Sequence, residues 1–288
     1  MLKAMIFIDG NWLYQSQREL SDAKVDYEKL PYVLTQKLRN QLKGLDVDMV
    51  RIHLFGSIPV NVDSQDQKNV DTQQGFYDML KRRFHYEIEV YPIDFAGRRF
   101  SRNDRDFVDT FEPREKCVDI ALASSALYYA TVPGAYDVAI FVIGDGDYIP
   151  AIQRIRRLGK RVMICSMRSN CAHAYDHHKD PTDEKGVRDF DTVFLEAIIG
   201  EVGLGHVPSD ALGRLESGYM AGTVAERKQE GYGFLHDRTG DKYYFHATNL
   251  ENIEFSELKE KQPVQFIPGT KDESEKHRYP PVKKVKPL

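Results

Sequence analysis

No stretch of the chain approaches the roughly 18 consecutive apolar residues that a membrane-spanning helix requires, so no membrane partner is expected. Cysteine is scarce. Cys117, Cys165 and Cys171 are too few and too odd in number for a disulfide framework, which agrees with a reducing compartment. The first residues, Met1-Leu2-Lys3-Ala4, run straight into an apolar β-rich segment and lack the parts of a secretory signal, so a cytoplasmic location is expected. An excess of positive charge is missing too. A formal net charge of -4 gives no overall field to draw nucleic acid, and any such partner must be held by local surface. Trp12 is the single tryptophan, and there is no internal repeat. Against these absences stand 41% hydrophobic content and 288 residues, enough for two ordinary domains with packed cores.

Aspartate is placed with unusual regularity. Ile6-Phe7-Ile8-Asp9-Gly10-Asn11 and Val142-Ile143-Gly144-Asp145-Gly146-Asp147 are apolar β-rich runs that stop at Asp-Gly or Gly-Asp, as buried parallel strands do where they open into loops. Lys116-Cys117-Val118-Asp119 sets a third acid at the start of an apolar helical stretch. An isolated Asp-Gly marks a turn, but here that explanation is needed three times. In open α/β sheets ligands bind at the carboxyl ends of the strands. Asp9, Asp119, Asp145 and Asp147 gathered there would repel one another by several kcal/mol at low effective dielectric, which implies raised pKa values or bound cations. Oxygen-only ligands favour Mg²⁺ or Mn²⁺. The Asp145 run is no calcium loop, because Ile149 and Arg156 occupy its fifth and twelfth positions. Asp9-Gly10-Asn11 likewise lacks the Asp-x-Asp of haloacid-type phosphatases, so no aspartyl-phosphate is expected.

Up to about Leu195 short apolar runs alternate with amphipathic stretches, the pattern of a parallel sheet with crossover helices. Strands are expected over 4–8, 49–55, 86–91, 138–143 and 161–165, and helices over 27–42, 73–84, 115–129 and 148–158, with Gly159 as a stop. In the third helix Val118, Leu122, Ser125 and Tyr129 share the expected inward face. Residues 199–217 are Gly-rich and aperiodic, a candidate linker. Beyond it, five short β-prone runs separated by Gly, Asp and Lys suggest a small closed or nearly closed β-barrel over 218–288.

Phe-Ile-Asp-Gly-Asn, Lys-Cys-Val-Asp-Ile-Ala-Leu-Ala and Ile-Gly-Asp-Gly-Asp-Tyr, in this order, closely resemble the signature blocks of NYN domains in the PIN-like nuclease superfamily. The resemblance covers roughly residues 1 to 198. It implies a Rossmann-like α/β fold with metal-binding carboxylates at Asp9, Asp119, Asp145 and Asp147, supported by Asn11 and Lys116. Family members are typically metal-dependent ribonucleases, and some are known only as binding or regulatory proteins. Ions held by carboxylates lower the pKa of water and neutralise charge at a phosphodiester, so no protein nucleophile is required. Lys116 either offsets phosphate charge or is an ordinary solvated lysine. Asn11 is expected to fix its loop or hydrogen-bond a carboxylate rather than touch metal.

Gly231-Tyr232-Gly233-Phe234-Leu235 and Tyr243-Tyr244-Phe245-His246 put Tyr232 with Phe234, and Tyr244 with His246, on one sheet face each. Rings exposed on a small barrel stack on unpaired bases at about 1–3 kcal/mol each. These runs resemble the paired RNA-binding motifs of a cold-shock domain, an OB-fold barrel. The chain departs from that pattern where Ala225-Glu226-Arg227 replaces a usual tryptophan, Ala247 an aromatic and Glu230 a lysine, which implies weaker single-strand binding. Tethering to a nuclease domain recovers some of it through effective concentration.

Arg98, Arg99, Arg102 and Arg105, ahead of the Asp119 helix, either line a nucleic-acid groove or form a charged solvent loop. The sequence thus points to a Mg²⁺- or Mn²⁺-dependent ribonuclease on single-stranded RNA. A non-catalytic RNA-binding regulator with an acidic pocket and a DNA nuclease stand as alternatives, since metals at a phosphodiester do not need the 2′-hydroxyl.

Overall fold

The computed structural model describes residues 1–17, 24–114, 117–204, 214–216, 218–237, 241–269 and 279–288. The chain divides into two compact units, Met1–Ser16 with Leu30–Ala197, and Gln17–Lys29 with Ile198–Leu288. Among the described residues no helix is long and apolar enough to cross a membrane.

The first unit is a six-stranded parallel sheet with flanking helices. Its elements run β1 (Leu2–Asp9), α1 (Gly10–Gln17), α2 (Lys29–Gln41), β2 (Val47–Val62), α3 (Gln67–Phe84), β3 (Glu87–Arg98), α4 (Val118–Thr131), β4 (Val138–Val142), α5 (Ile149–Arg157), β5 (Arg161–Ser166) and β6 (Val193–Phe194), after which α6 (Leu195–Val202) passes from the first unit into the second. The strand order is β3-β2-β1-β4-β5-β6. The chain therefore moves outward from β1 to β3 and returns to the other side of β1, leaving a switch point between the carboxyl ends of β1 and β4. Both strands are central, and β4 is buried at every residue, which is why they read as unbroken apolar runs.

The helices follow local chemistry. Pro150 stands in the first turn of α5, where a missing N–H costs nothing, and Arg154, Arg156 and Arg157 in its last turn oppose the helix dipole. Gly159 follows with φ +79°, the stop expected of it. In α4 the buried face is Val118, Ala121, Leu122, Ala126 and Ala130. Val118 and Leu122 are buried as expected, Tyr129 packs against the same core from its edge, and Ser125 is only partly buried. Three elements went unread, α1, β6 and α6. The first follows Asp9 without a break, and the second is only two residues long.

The second unit is built on β7 (Met220–Arg227), β8 (Tyr232–Asp237), β9 (Lys242–His246), β10 (Pro263–Pro268) and β11 (Val282–Pro287). They form one antiparallel sheet in the order β11-β10-β7-β8-β9. The sheet curls until its edges meet: parallel bridges join Tyr244 to Pro281 and Leu250 to Val285, and the Tyr244 N–H donates to the Pro280 carbonyl at 2.8 Å. Val224, Leu235, Phe245, Val264, Phe266 and Val285 fill its interior. Of the segment 199–217, residues 199–202 are helical and 205–213 and 217 lie outside the described residues.

Candidate functional site

β1 ends on Asp9, which is 6% exposed. Its Oδ1 accepts the Trp12 backbone N–H at 2.9 Å, so the acid caps the start of α1. The turn into α1 needs a glycine, because a Cβ on Gly10 would stand 2.9 Å from the Phe55 carbonyl of β2. Asn11 reaches the same strand: its Oδ1 accepts from Ser57 N at 3.2 Å and Ser57 Oγ at 3.0 Å. These bonds tie the first turn of α1 to β2.

Asp119 occupies the first turn of α4, where the helix dipole favours an acid. Cys117 enters that helix with φ 82°. Asp9 and Asp119 meet at Tyr148, whose hydroxyl stands 2.9 Å from Asp9 Oδ2 and 2.5 Å from Asp119 Oδ1. The ring is 1% exposed. Burial, then the neighbouring Asp9 and Asp119 carboxylates, hold the phenol far above its ordinary range, so it remains a proton donor at any working pH. Sequence reasoning missed Tyr148. The available signal was its place directly after Asp147.

Asp145 and Asp147 lie on the loop after β4, both exposed. The Asp145 carboxylate caps its own 3-10 turn, accepting the Asp147 N–H at 3.1 Å. Tyr175 supports this loop from beneath, donating to the Asp145 carbonyl at 2.8 Å. Burial first, then the charges of Asp145 and Asp147, raise its phenol. Among the described residues no three His, Cys, Asp or Glu side chains stand together as a set able to hold a metal ion. The structure thus joins Asp9 with Asp119 and sets Asp145 and Asp147 on the loop that follows the neighbouring strand. Lys116 lies outside the described residues.

β2 and β3 run past the end of β1. Asp9 pairs with Phe55, and the two longer strands continue together to Val62 and Arg98, making a ribbon beyond the carboxyl edge. The basic residues follow this ribbon and are engaged within it. Arg98 Nε donates to Asp109 at 2.9 Å, and Arg99 Nε to Asp66 at 2.9 Å. Arg102 donates to the carbonyls of Asp106 and Phe107. Arg105 gathers the carbonyls of Arg99, Phe100 and Phe111 at 2.6, 3.1 and 2.9 Å. A phosphate at Arg98, Arg99 or Arg102 would compete with these partners.

In the second unit Tyr232, Phe234 and Tyr244 form one half-exposed cluster with centroids 5.8–6.0 Å apart. Tyr279 joins it 5.5 Å from Phe234, and Lys242 Nζ lies 4.4 Å from the centre of the Phe234 ring. Neither residue was singled out from sequence, since Tyr279 sits in a Lys- and Glu-rich stretch without periodicity. His246, paired with Tyr232 across the sheet, also caps a turn, its Nδ1 accepting the Thr248 N–H at 3.3 Å.

The family model for the NYN domain matches residues 3–180, more than half of the chain and all four aspartates. No curated protein matches the chain at a significant level.

Proposed function

Because the chain belongs to the NYN family of PIN-like nucleases, we propose that it is a divalent-metal-dependent ribonuclease acting on single-stranded RNA, with the second unit holding the strand. The observation that carries this reading is the meeting of Asp9 and Asp119 on the Tyr148 hydroxyl at the carboxyl edge of a parallel sheet. Two carboxylates so close repel unless positive charge joins them. Their donors are all oxygen, which fits Mg²⁺ or Mn²⁺. Asp9 and Asp119 would hold the ion, with Asp145 and Asp147 as further carboxylates from the loop after β4. When bound, such an ion activates water and neutralises charge on the phosphodiester.

The chain's own residues do the rest. Trp12 and Tyr148 fix the Asp9 carboxylate from two sides, and Asn11 ties its loop to Ser57. Tyr232, Phe234 and Tyr244 offer ring surface to unpaired bases. The curled sheet with joined edges suits the OB-like, cold-shock-like barrel that these motifs resemble.

The turning of the Asp145 carboxylate onto its own turn favours a second reading, a regulator that binds RNA without cutting it. Labelled single-stranded RNA and matched DNA, incubated with wild type and Asp119→Asn in Mn²⁺, Mg²⁺ or EDTA, separate the two. Metal-dependent RNA cleavage lost in the variant supports the nuclease. Binding without cleavage in every metal supports the regulator, and equal cleavage of DNA removes the restriction to RNA.

A further inference from the structure

Asp9 closes a strand, Asp119 opens a helix, and the two belong to elements far apart in sequence. What joins their carboxylates is one oxygen atom. We propose that Tyr148 is a positioning residue whose hydroxyl holds Asp9 and Asp119 as a single paired acceptor set for a divalent cation. The reading rests on the function proposed above.

Geometry supports it in three ways. The hydroxyl lies within hydrogen-bond distance of one oxygen from each acid, 2.9 and 2.5 Å away, so the two oxygens cannot separate further than those two bonds laid end to end. A phenol has one proton, which the two acids share as acceptors at one oxygen, and each carboxylate keeps its remaining lone pairs for a cation. The ring itself is anchored by the main core, alongside Phe7, Val118 and Ile152, and its turn is fixed by the Asp145 cap. Strand, helix and turn are thereby locked to one another through the functional atoms. Carboxylates that ligate metals are commonly held by such outer hydrogen bonds, whose loss costs about 10- to 100-fold in metal affinity.

Tyr148→Phe removes only that oxygen and keeps the packed ring. Titration of Mn²⁺ into the full chain, metal-free at the start, is expected to show binding about 10- to 100-fold weaker in Tyr148→Phe. Tyr136→Phe serves as the control, since it loses another buried hydroxyl bond, to the Ala126 carbonyl at 2.9 Å. It is expected to lower stability without changing Mn²⁺ affinity. In parallel, urea unfolding in EDTA of wild type, Tyr148→Phe, Asp119→Ala and the double variant is expected to be non-additive. Unchanged Mn²⁺ affinity in Tyr148→Phe, or strictly additive unfolding, overturns the proposal. If wild type itself binds no Mn²⁺, the nuclease reading falls, and the unfolding cycle still decides whether Tyr148 couples the acids.

Discussion

The Trp12 indole lies so close over Gly144 that a Cβ at that position would come within 1.9 Å of its Nε1. Trp12 also donates its backbone N–H to Asp9, so this contact ties the loop after β4 to the acid at the end of β1. Gly144→Ala is expected to force the indole aside, at about 1–3 kcal/mol for overpacking. That corresponds to a fall in melting temperature of roughly 2–4 °C per kcal/mol in a domain of this size. Trp12→Leu introduced into Gly144→Ala should recover part of the loss. A double variant less stable than Gly144→Ala would refute the steric account.

The Asp9 and Asp119 carboxylates share one donor, and removing one charge should separate stability from activity. Asp119→Asn keeps an oxygen that accepts from Tyr148 and relieves repulsion with Asp9. Calorimetry in EDTA is expected to show a melting temperature no lower than wild type. RNA cleavage in Mn²⁺ should drop at least about 100-fold, since the metal's stabilisation of the transition state is worth several kcal/mol. A variant that melts clearly lower in EDTA would mean that the Asp119 charge stabilises the fold rather than burdening it.

Much of this arrangement was legible beforehand, and unevenly. Asp9 could be placed because β1 is buried at its last six positions, so its apolar run ends visibly at the acid. The length of β2 and β3 was not legible. Their outer halves, Gly56–Val62 and Val90–Arg98, contain Pro59, Pro92, Asn61 and Gly97 and face solvent in part, so they carry no apolar run. Tyr148 was hidden for a different reason. Its role depends on two acids 139 and 29 residues away, and no local period records such a meeting. Arg98, Arg99 and Arg102 read as free positive charge because their partners Asp109, Asp66 and the Asp106 and Phe107 carbonyls mark no period either.

His53 should make the first unit acid-sensitive. It is 3% exposed on β2 and stacks on Phe7 at 5.3 Å, and among the described residues its Nε2 has no hydrogen-bond partner. Burial, then the Arg51 charge, lowers its pKa to about 4. An unfolded chain takes up the proton near 6.5. Stability is therefore complete above about pH 6.5 and is lost as pH falls toward 4, by on the order of 3 kcal/mol at the limit. Urea denaturation at pH 7.5, 6 and 5 should show a shallower decline for His53→Phe. Identical slopes would show that His53 is not the group responsible. His236, also lowered to about 4 by burial and then Lys242 and Lys24, contributes its own decline, which His236→Phe would remove separately.

Arg105 is expected to act as a clasp. One planar guanidinium takes three carbonyls on both sides of the loop, a geometry that an ammonium cannot copy. Arg105→Ala should leave the main melting transition in place while protease cuts within residues 99–114 roughly tenfold faster, as expected for losing one or more charge-assisted bonds from a locally opening segment. Arg105→Lys should be cut almost as fast. Full protection in Arg105→Lys would show that charge alone holds the loop.

The ring cluster of the second unit makes the last prediction, and it separates stacking from charge. Tyr244 touches both Tyr232 and Phe234, so Tyr244→Ala removes one platform and loosens two. Binding of a single-stranded oligonucleotide by the full chain carrying Asp119→Asn, which prevents cleavage, should weaken by about 1–3 kcal/mol, or roughly 5- to 150-fold. The loss should be similar across base sequences, because every base has a stacking face. Lys242, whose ammonium lies over the Phe234 ring, should act otherwise. If it reaches a phosphate in the complex, Lys242→Met lowers the salt slope of binding by about one unit while keeping most of the apolar surface. Anisotropy measured across a salt series reads both quantities. Tyr244→Ala with unchanged affinity would remove the barrel from the binding surface, whatever the outcome at Lys242.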